Sequence, residues 1–233
     1  MGKPFTVPAE PYSWPFDGPV ARERVALIVI DMQVDFCGPG GYIDSQGINL
    51  AGTRRAIPAI ARTLAAARAE PGMLVIHTRE GHRPELVDLP ANKYWRSKRV
   101  SPGIGEKGPC GRILVRGEPG WEIIPELAPV AGEIIVDKPG KGAFFATDLE
   151  HILRTCGRTH LIICGITTDV CVHTTLREAN DQGFECLILE DGTGATQPEH
   201  HRAALSMTTM QGGLFGAVSD SIRLTRAMGW VDA

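Results

Sequence analysis

A cysteine, an aspartate and a lysine each follow an apolar stretch of this chain, and together they could perform covalent catalysis. Cys171 comes after the apolar run 161–164 and the short segment 165–170, at the start of a stretch compatible with a helix. Unpaired backbone N–H groups and the helix dipole favour negative charge at a helix N-terminus. A thiol at this position is therefore expected to ionise more readily and to act as a nucleophile.

Asp31 directly follows the apolar run 26–30 and is the candidate general base. A carboxylate at this position could accept the thiol proton and later activate water. Asp35 lies on the same short segment and competes for this role. We favour Asp31 because it comes immediately after the predicted strand.

Lys138 follows the run 133–137 and supplies the positive charge of the candidate site. Coulomb attraction to an ammonium group lowers the pKa of a nearby thiol or carboxylate. Lys141, three residues further on, is the nearest rival for this role. It also remains a candidate substrate ligand.

Apolar runs of strand length alternate with segments of helical period along the chain. The predicted strands are 25–30, 73–78, 134–137, 160–165, 185–189 and 215–218, and the predicted helices are 53–69, 147–156, 172–182 and 198–210. This alternation predicts an α/β fold, a Rossmann-like three-layer α/β/α sandwich with a mostly parallel six-stranded sheet. Such sheets carry their sites at the carboxyl ends of the strands.

Length and composition favour a single domain over residues 1–233. We expect an extended arm at 1–18, which packs on the domain or on a neighbouring subunit, and a long insert loop at 79–127. The formal net charge is −3 without blocks of like charge, which argues against a nucleic-acid or membrane partner. Segment 1–18 has no apolar signal-peptide core and no stretch has the length of a transmembrane helix, so a cytoplasmic protein is expected. The six cysteines have neither disulfide-framework nor zinc-site spacing.

Several motifs resemble the isochorismatase-like cysteine hydrolase family, and within it the biuret and triuret hydrolases. The broad likeness is carried by Asp31-Met32-Gln33-x-Asp35-Phe36, by Lys138, and by Gly165-Ile166-Thr167-Thr168-Asp169-Val170-Cys171-Val172. The finer likeness is carried by residues 77–84, 89–93, 108–112, 138–142 and 210–213. The resemblance implies a triad of Asp31, Lys138 and Cys171, a thioester acyl-enzyme, and a homo-oligomer, often a tetramer.

The turn before Cys171 and three further residues are candidates for contacts with the substrate. The backbone N–H groups of Thr167 and Cys171 could form an oxyanion hole. The resemblance implies that the peptide bond between Ile166 and Thr167 is cis. For a flat, polar ureide, Phe36 could stack on the substrate, Lys141 could donate to a distal carbonyl, and Gln211 could pair with a urea-like unit.

Metal and cofactor sites are not expected. Metal-binding relatives in this family carry an Asp-x-His element, whereas the comparable segment here is His77-Thr78-Arg79-Glu80-Gly81-His82. We therefore predict catalysis without a metal and without any cofactor.

The leading interpretation is hydrolysis of a C–N bond in biuret or triuret, with release of ammonia. Ureidoacrylate or maleamate is the alternative within the same chemistry, because the arginine-rich insert (Arg79, Arg83, Arg96, Arg99) could bind a carboxylate. An isochorismatase cleaves a vinyl ether without a nucleophilic cysteine, so Cys171 argues against that activity. A non-enzymatic domain would leave three reactive groups at strand ends unexplained.

Overall fold

The computed structural model describes residues 3–69, 71–100 and 102–230. Its strands are β1 (Val25–Ile30), β2 (Leu74–Glu80), β3 (Lys107–Gly108), β4 (Gly111–Arg112), β5 (Ile134–Lys138), β6 (His160–Ile166), β7 (Glu185–Gly194) and β8 (Ala217–Ser219). Its α-helices are α1 (Val34–Cys37), α2 (Tyr42–Ser45), α3 (Ala51–Arg54), α4 (Ile57–Ala69), α5 (Ala91–Ser97), α6 (Leu149–Thr155), α7 (His173–Asp181), α8 (Pro198–Gly213) and α9 (Ser221–Ala227).

Six strands form one sheet in the order β5-β2-β1-β6-β7-β8, and every neighbouring pair in it is parallel. The predicted α/β fold with its six-stranded sheet is confirmed. Because β1 lies between β2 and β6, the residues that follow these three strands meet at one edge of the sheet.

Helices cover both faces of the sheet, which explains why β1 is buried along its whole length. Alternate residues of β1 pack against α4 and α9 on one face and against α6 and α7 on the other. Apolar runs without alternation are typical of a parallel strand buried on both sides.

The helix predicted at 53–69 is two helices in the structure, α3 and α4. Pro58 lies in the first turn of α4. A proline there lacks the N–H for a helical hydrogen bond and its ring clashes with the carbonyl four residues earlier, at Arg54. The prediction of one continuous helix was wrong for this reason.

The predicted insert loop at 79–127 contains more regular structure than expected. Its first two residues, Arg79 and Glu80, continue β2, and the helix α5 and the β3–β4 pair follow. Ile104, Ile113 and Leu114 form a small buried cluster within it.

The N-terminal arm packs on the domain of its own chain. Val7 and Trp14 exchange backbone hydrogen bonds of 2.7 and 2.9 Å, and both side chains are fully buried. Glu10 pairs in antiparallel fashion with Val218 and so covers the outer edge of β8. Assembly into a homotetramer stays a prediction.

In the part of the chain that the structure describes, no helix has the length and apolar character needed to span a bilayer.

Candidate active site

The structure brings Asp31, Lys138 and Cys171 together at the carboxyl edge of the sheet. The Lys138 ammonium lies 2.7 Å from Asp31 Oδ2, and both side chains are fully buried. The Cys171 sulfur lies within 4.8 Å of a carboxylate oxygen of Asp31. A carboxylate, an ammonium group and a thiol therefore share one buried cluster.

The backbone holds Asp31 in a defined orientation as the chain leaves β1. Asp31 has a positive φ of 50°, and its N–H donates to the carbonyl of Thr78 at 3.2 Å. The Thr78 hydroxyl donates to Asp31 Oδ1 at 2.6 Å. One carboxylate oxygen is thus fixed by β2, and the other faces Lys138.

Lys138 is held by the turn that follows β5. Its ammonium donates to the carbonyl oxygens of Gly140 and Lys141, each at 2.9 Å. Burial alone would lower the pKa of Lys138, but the negative charges of Asp31 and Glu80 raise it above its ordinary value. The ammonium therefore stays charged throughout the neutral range.

Glu80, at the end of β2, is a site residue that the sequence analysis missed. Its side chain is 1% exposed, and its Oε2 accepts from the Cys171 thiol at 3.3 Å. Its Oε1 accepts from Lys93 at 2.7 Å and from Lys141 at 2.8 Å. Because β2 was predicted to end at Thr78, Glu80 was assigned to the insert. Its spacing of two residues from Thr78 was the available signal, since alternate strand residues share a face.

The resting Cys171 thiol is protonated, contrary to the expectation of ready ionisation. Burial raises its pKa well above the ordinary value, and the charges of Asp31 and Glu80 raise it further, while Lys138 and Lys141 act in the opposite direction. The local backbone also differs from the prediction, because Cys171 lies within a π-helical turn, Thr168–Val172, that precedes α7.

A cavity of about 180 Å³ opens beside the Cys171 sulfur. Phe36, Lys141, Thr167 and Cys171 line it, so these candidate ligands share one space with the thiol. The peptide bond between Ile166 and Thr167 is cis, as the family resemblance implies. The oxyanion-hole roles of Thr167 and Cys171 remain predictions.

Gln211 does not line this cavity. It is exposed, at a kink in α8 where Met210, Gln211 and Gly212 leave the helical conformation. The structure therefore does not bring Gln211 to the thiol, and its role as a substrate ligand stays a prediction.

Asp35 and Lys141, the alternative candidates for the roles of Asp31 and Lys138, have other partners. The carboxylate of Asp35 accepts from the backbone N–H of Leu114 at 2.8 Å and of Tyr42 at 3.2 Å, which ties the insert to the domain. Lys141 pairs with Glu80 rather than with Asp31. The geometry thus favours Asp31 as base and Lys138 as its cation.

The donor set of Asp31, Glu80 and Cys171 could in principle approach a metal ion, because their ligand atoms lie within 4.8 Å of one another. However, these carboxylates already pair with the ammonium groups of Lys93, Lys138 and Lys141. A further cation would meet strong repulsion from these three charges. The residues present therefore do not fit a divalent metal.

His77 and Arg79 of β2 have acidic partners outside the cluster of Asp31, Lys138 and Cys171. His77 contacts Glu133 at 2.9 Å. Arg79 pairs with Asp137 and Glu122, each at 2.9 Å. Arg79 therefore does not reach the cavity beside Cys171.

A buried carboxylate–lysine–thiol cluster at the carboxyl edge of a parallel sheet is the arrangement expected of a cysteine hydrolase. Residues 25–222 match the family model described as the isochorismatase domain, so the chain belongs to the isochorismatase family. Membership of this family makes the chain a hydrolase.

Similar proteins are known by sequence and by structure. The chain is 37% identical over 190 residues to ureidoacrylate amidohydrolase RutB of Azorhizobium caulinodans, covering 79% of this chain and 82% of the relative. It is 34% identical over 218 residues to RutB of Klebsiella pneumoniae, covering 92% and 89%. The crystal structure of a cysteine hydrolase from Pseudomonas syringae superposes with a TM-score of 0.75 at 28% identity, covering 98% and 99%.

Proposed function

We propose that this protein hydrolyses the ureido C–N bond of a small ureide that carries a carboxylate, of the ureidoacrylate type. Two observations support this substrate class over the neutral ureides favoured by the sequence motifs. Two curated relatives with 34 and 37% identity are ureidoacrylate amidohydrolases. The second observation, a cavity with basic lining residues that adjoins the cavity at Cys171, carries the proposal.

The second cavity has a volume of about 280 Å³ and shares Phe36 and Lys141 with the cavity at Cys171. Lys93 and Arg96 of α5 also line it. Within the described residues, the Arg96 guanidinium has no ion-pair partner. A ureide with its carbonyl at Cys171 could therefore place a carboxylate beside Arg96, since guanidinium groups bind carboxylates in bidentate fashion.

The reaction would proceed through a thioester. The Cys171 sulfur attacks the ureido carbonyl carbon as the thiol proton passes to Asp31, and the C–N bond breaks as Asp31 returns that proton to the leaving nitrogen. Water, deprotonated by Asp31, then cleaves the carbamoyl thioester, and the proton returns to sulfur. The released carbamate decomposes to ammonia and carbon dioxide.

Biuret or triuret is the second candidate, and one observation favours it. The ammonium groups of Lys93 and Lys141 already pair with Glu80, at 2.7 and 2.8 Å. The cations nearest the thiol are thus balanced before substrate binds, which suits an uncharged ureide. Among the described residues that line the two cavities, Arg96 is the basic residue left to bind a carboxylate.

Ammonia release from ureidoacrylate, maleamate, biuret and triuret tests the two candidates directly. We expect the highest kcat/KM on ureidoacrylate and no turnover by Cys171→Ser. Arg96→Gln should raise KM for ureidoacrylate about tenfold, or ~1.4 kcal/mol, and leave any biuret turnover unchanged.

Arg99→Gln is the matched control, because Arg99 lies over the Trp95 ring at 5.2 Å and does not line either cavity. Faster turnover of biuret or triuret than of ureidoacrylate, or equal effects of the two arginine variants, would contradict the carboxylate assignment.

A further inference from the structure

Glu80 contacts the thiol and three ammonium groups, although the mechanism built on Asp31, Lys138 and Cys171 gives it no role. Its Oε2 accepts from the Cys171 thiol at 3.3 Å and lies 3.6 Å from the Lys138 ammonium. Its Oε1 is bound by Lys93 and Lys141. Glu80 therefore joins the nucleophile to three lysines from a position that is almost completely buried.

The charges around the thiol come from every element that packs against it. They are Asp31 after β1, Glu80 of β2, Lys138 of β5, Lys141 in the following turn, Lys93 of α5, and Asp169 on the cysteine's own turn, which pairs with His200 at 3.3 Å. Apart from the Asp169–His200 pair, three ammonium groups face two carboxylates. Without Glu80, three ammonium groups would face Asp31 alone, and an ionised thiol would be strongly favoured.

We propose that Glu80 keeps the Cys171 thiol protonated until the substrate arrives, so that the thiol itself stores the proton that the leaving nitrogen needs. This inference rests on the thioester part of the proposed function and not on the identity of the ureide.

The proton balance shows why a stored proton matters. In acylation, the C–S bond forms as the thiol proton moves to Asp31, and the C–N bond breaks as this proton moves to nitrogen. If the thiol had already lost its proton to solvent, Asp31 would remain a carboxylate with no proton to donate. The leaving group would then depart as a poorly stabilised anion.

Asp31 and Glu80 differ in basicity, as expected if Asp31 takes the thiol proton and Glu80 only accepts a hydrogen bond from it. Burial, together with the charge of Glu80, raises the pKa of Asp31 above its ordinary value, although Lys138 and the Thr78 hydroxyl act in the opposite direction. Burial would also raise the pKa of Glu80, but the charges of Lys138, Lys141 and Lys93 hold it well below its ordinary value. Glu80 therefore accepts a hydrogen bond from the thiol without taking its proton, whereas Asp31 can take it.

Alkylation by iodoacetamide as a function of pH, read at the Cys171 peptide by mass spectrometry, tests the proposal without any substrate. In Glu80→Gln the thiol should ionise at lower pH, and alkylation at about pH 7 should accelerate at least roughly tenfold, the effect of one pKa unit. The alkaline limb of the kcat/KM profile should move to lower pH by the same amount, so that turnover falls while alkylation rises. A purely structural role would lower both rates together.

Two variants and one internal reference complete the experiment. Glu80→Asp keeps the charge and should return both profiles toward those of the wild type. The exposed Cys156 in the same samples reports on general reactivity and on folding. If Glu80→Gln does not fold, Lys141→Met decides, because removing this half-exposed cation should slow alkylation of Cys171.

Unchanged or slower alkylation in folded Glu80→Gln, or unchanged or faster alkylation in Lys141→Met, would overturn the proposal. A wrong substrate assignment would leave all of these alkylation results unaffected. The failure of this inference and the failure of the substrate assignment can therefore be told apart.

Discussion

Replacing Lys138 by methionine should lower the stability of the protein as well as abolish its activity. The lysine stem and the methionine side chain have similar length, so the change removes mainly the charge. It leaves Asp31 fully buried without the ammonium that now lies at 2.7 Å. The carbonyl oxygens of Gly140 and Lys141 also lose their donor.

The expected magnitude follows from the burial of both partners. Breaking a buried ion pair by removing one member costs about 3–5 kcal/mol, because the other charge stays buried and uncompensated. For a chain of this length, each kcal/mol lowers the melting temperature by about 2–4 °C. We therefore expect Lys138→Met to melt ~6–20 °C below the wild type.

The loss of stability in Lys138→Met should increase as the pH rises. Without Lys138, burial raises the pKa of Asp31 further above its ordinary value of 3.8. At a pH between the ordinary pKa of Asp31 in the unfolded chain and its raised pKa in the folded variant, the folded protein binds more protons than the unfolded chain. The free energy of unfolding therefore falls as the pH rises through this range. The destabilisation should therefore be smaller at about pH 5 than at about pH 8.

Thermal unfolding monitored by circular dichroism at both pH values measures these effects. Lys138→Met/Asp31→Asn should recover much of the lost stability, because no charge is then buried alone. Lys141→Met is the control, since its ammonium is half-exposed and its loss should change the melting temperature little. Equal melting temperatures of Lys138→Met and wild type, or no recovery in the double variant, would refute the reasoning.

Two further predictions concern the metal and Gln211. Extended dialysis against a strong chelator should leave turnover unchanged, because three lysines already occupy the carboxylates; activity that disappears and returns with zinc, iron or manganese would contradict this. If Gln211 pairs with the substrate, as the sequence motifs predict, Gln211→Glu should lower kcat/KM on the best ureide roughly ten- to a hundredfold, the effect of about 1–3 kcal/mol of lost pairing. Alkylation of Cys171 should not change in this variant, and wild-type kcat/KM would remove Gln211 from the substrate site.

The positions of Asp31, Lys138 and Cys171 could be predicted because each follows a strongly apolar strand. Parallel strands have their carboxyl ends at one edge, so the residues after them are expected to meet there. The order β5-β2-β1-β6 places these ends side by side. Strand prediction placed the three residues at one edge of the sheet, and the strand order brings their side chains together.

Glu80 could not be found in the same way, because two charged residues normally mark the end of a strand. Arg79 and Glu80 nevertheless continue β2, each compensated by partners from distant parts of the chain. Lys93 lies 13 residues and Lys141 lies 61 residues from Glu80 in sequence. Such partners become visible only when the insert is folded against the sheet.

The ionisation of Cys171 was mispredicted because local structure contributes less than the surroundings. A helix N-terminus favours a thiolate by a modest amount, whereas burial and two nearby carboxylates act on the sulfur directly. The site therefore depends on the balance of buried charges, which sequence spacing does not reveal.

The same balance decides which of the two carboxylates near the sulfur can act as the base. Asp31 has one ammonium partner, Lys138, whereas Glu80 contacts Lys138, Lys93 and Lys141. Each ammonium stabilises the ionised carboxylate and makes it a weaker base. The thiol thus donates its resting hydrogen bond to the weaker base and has the stronger base within 4.8 Å. The number of lysines around each carboxylate, rather than its distance from sulfur in the resting state, therefore assigns proton transfer to Asp31.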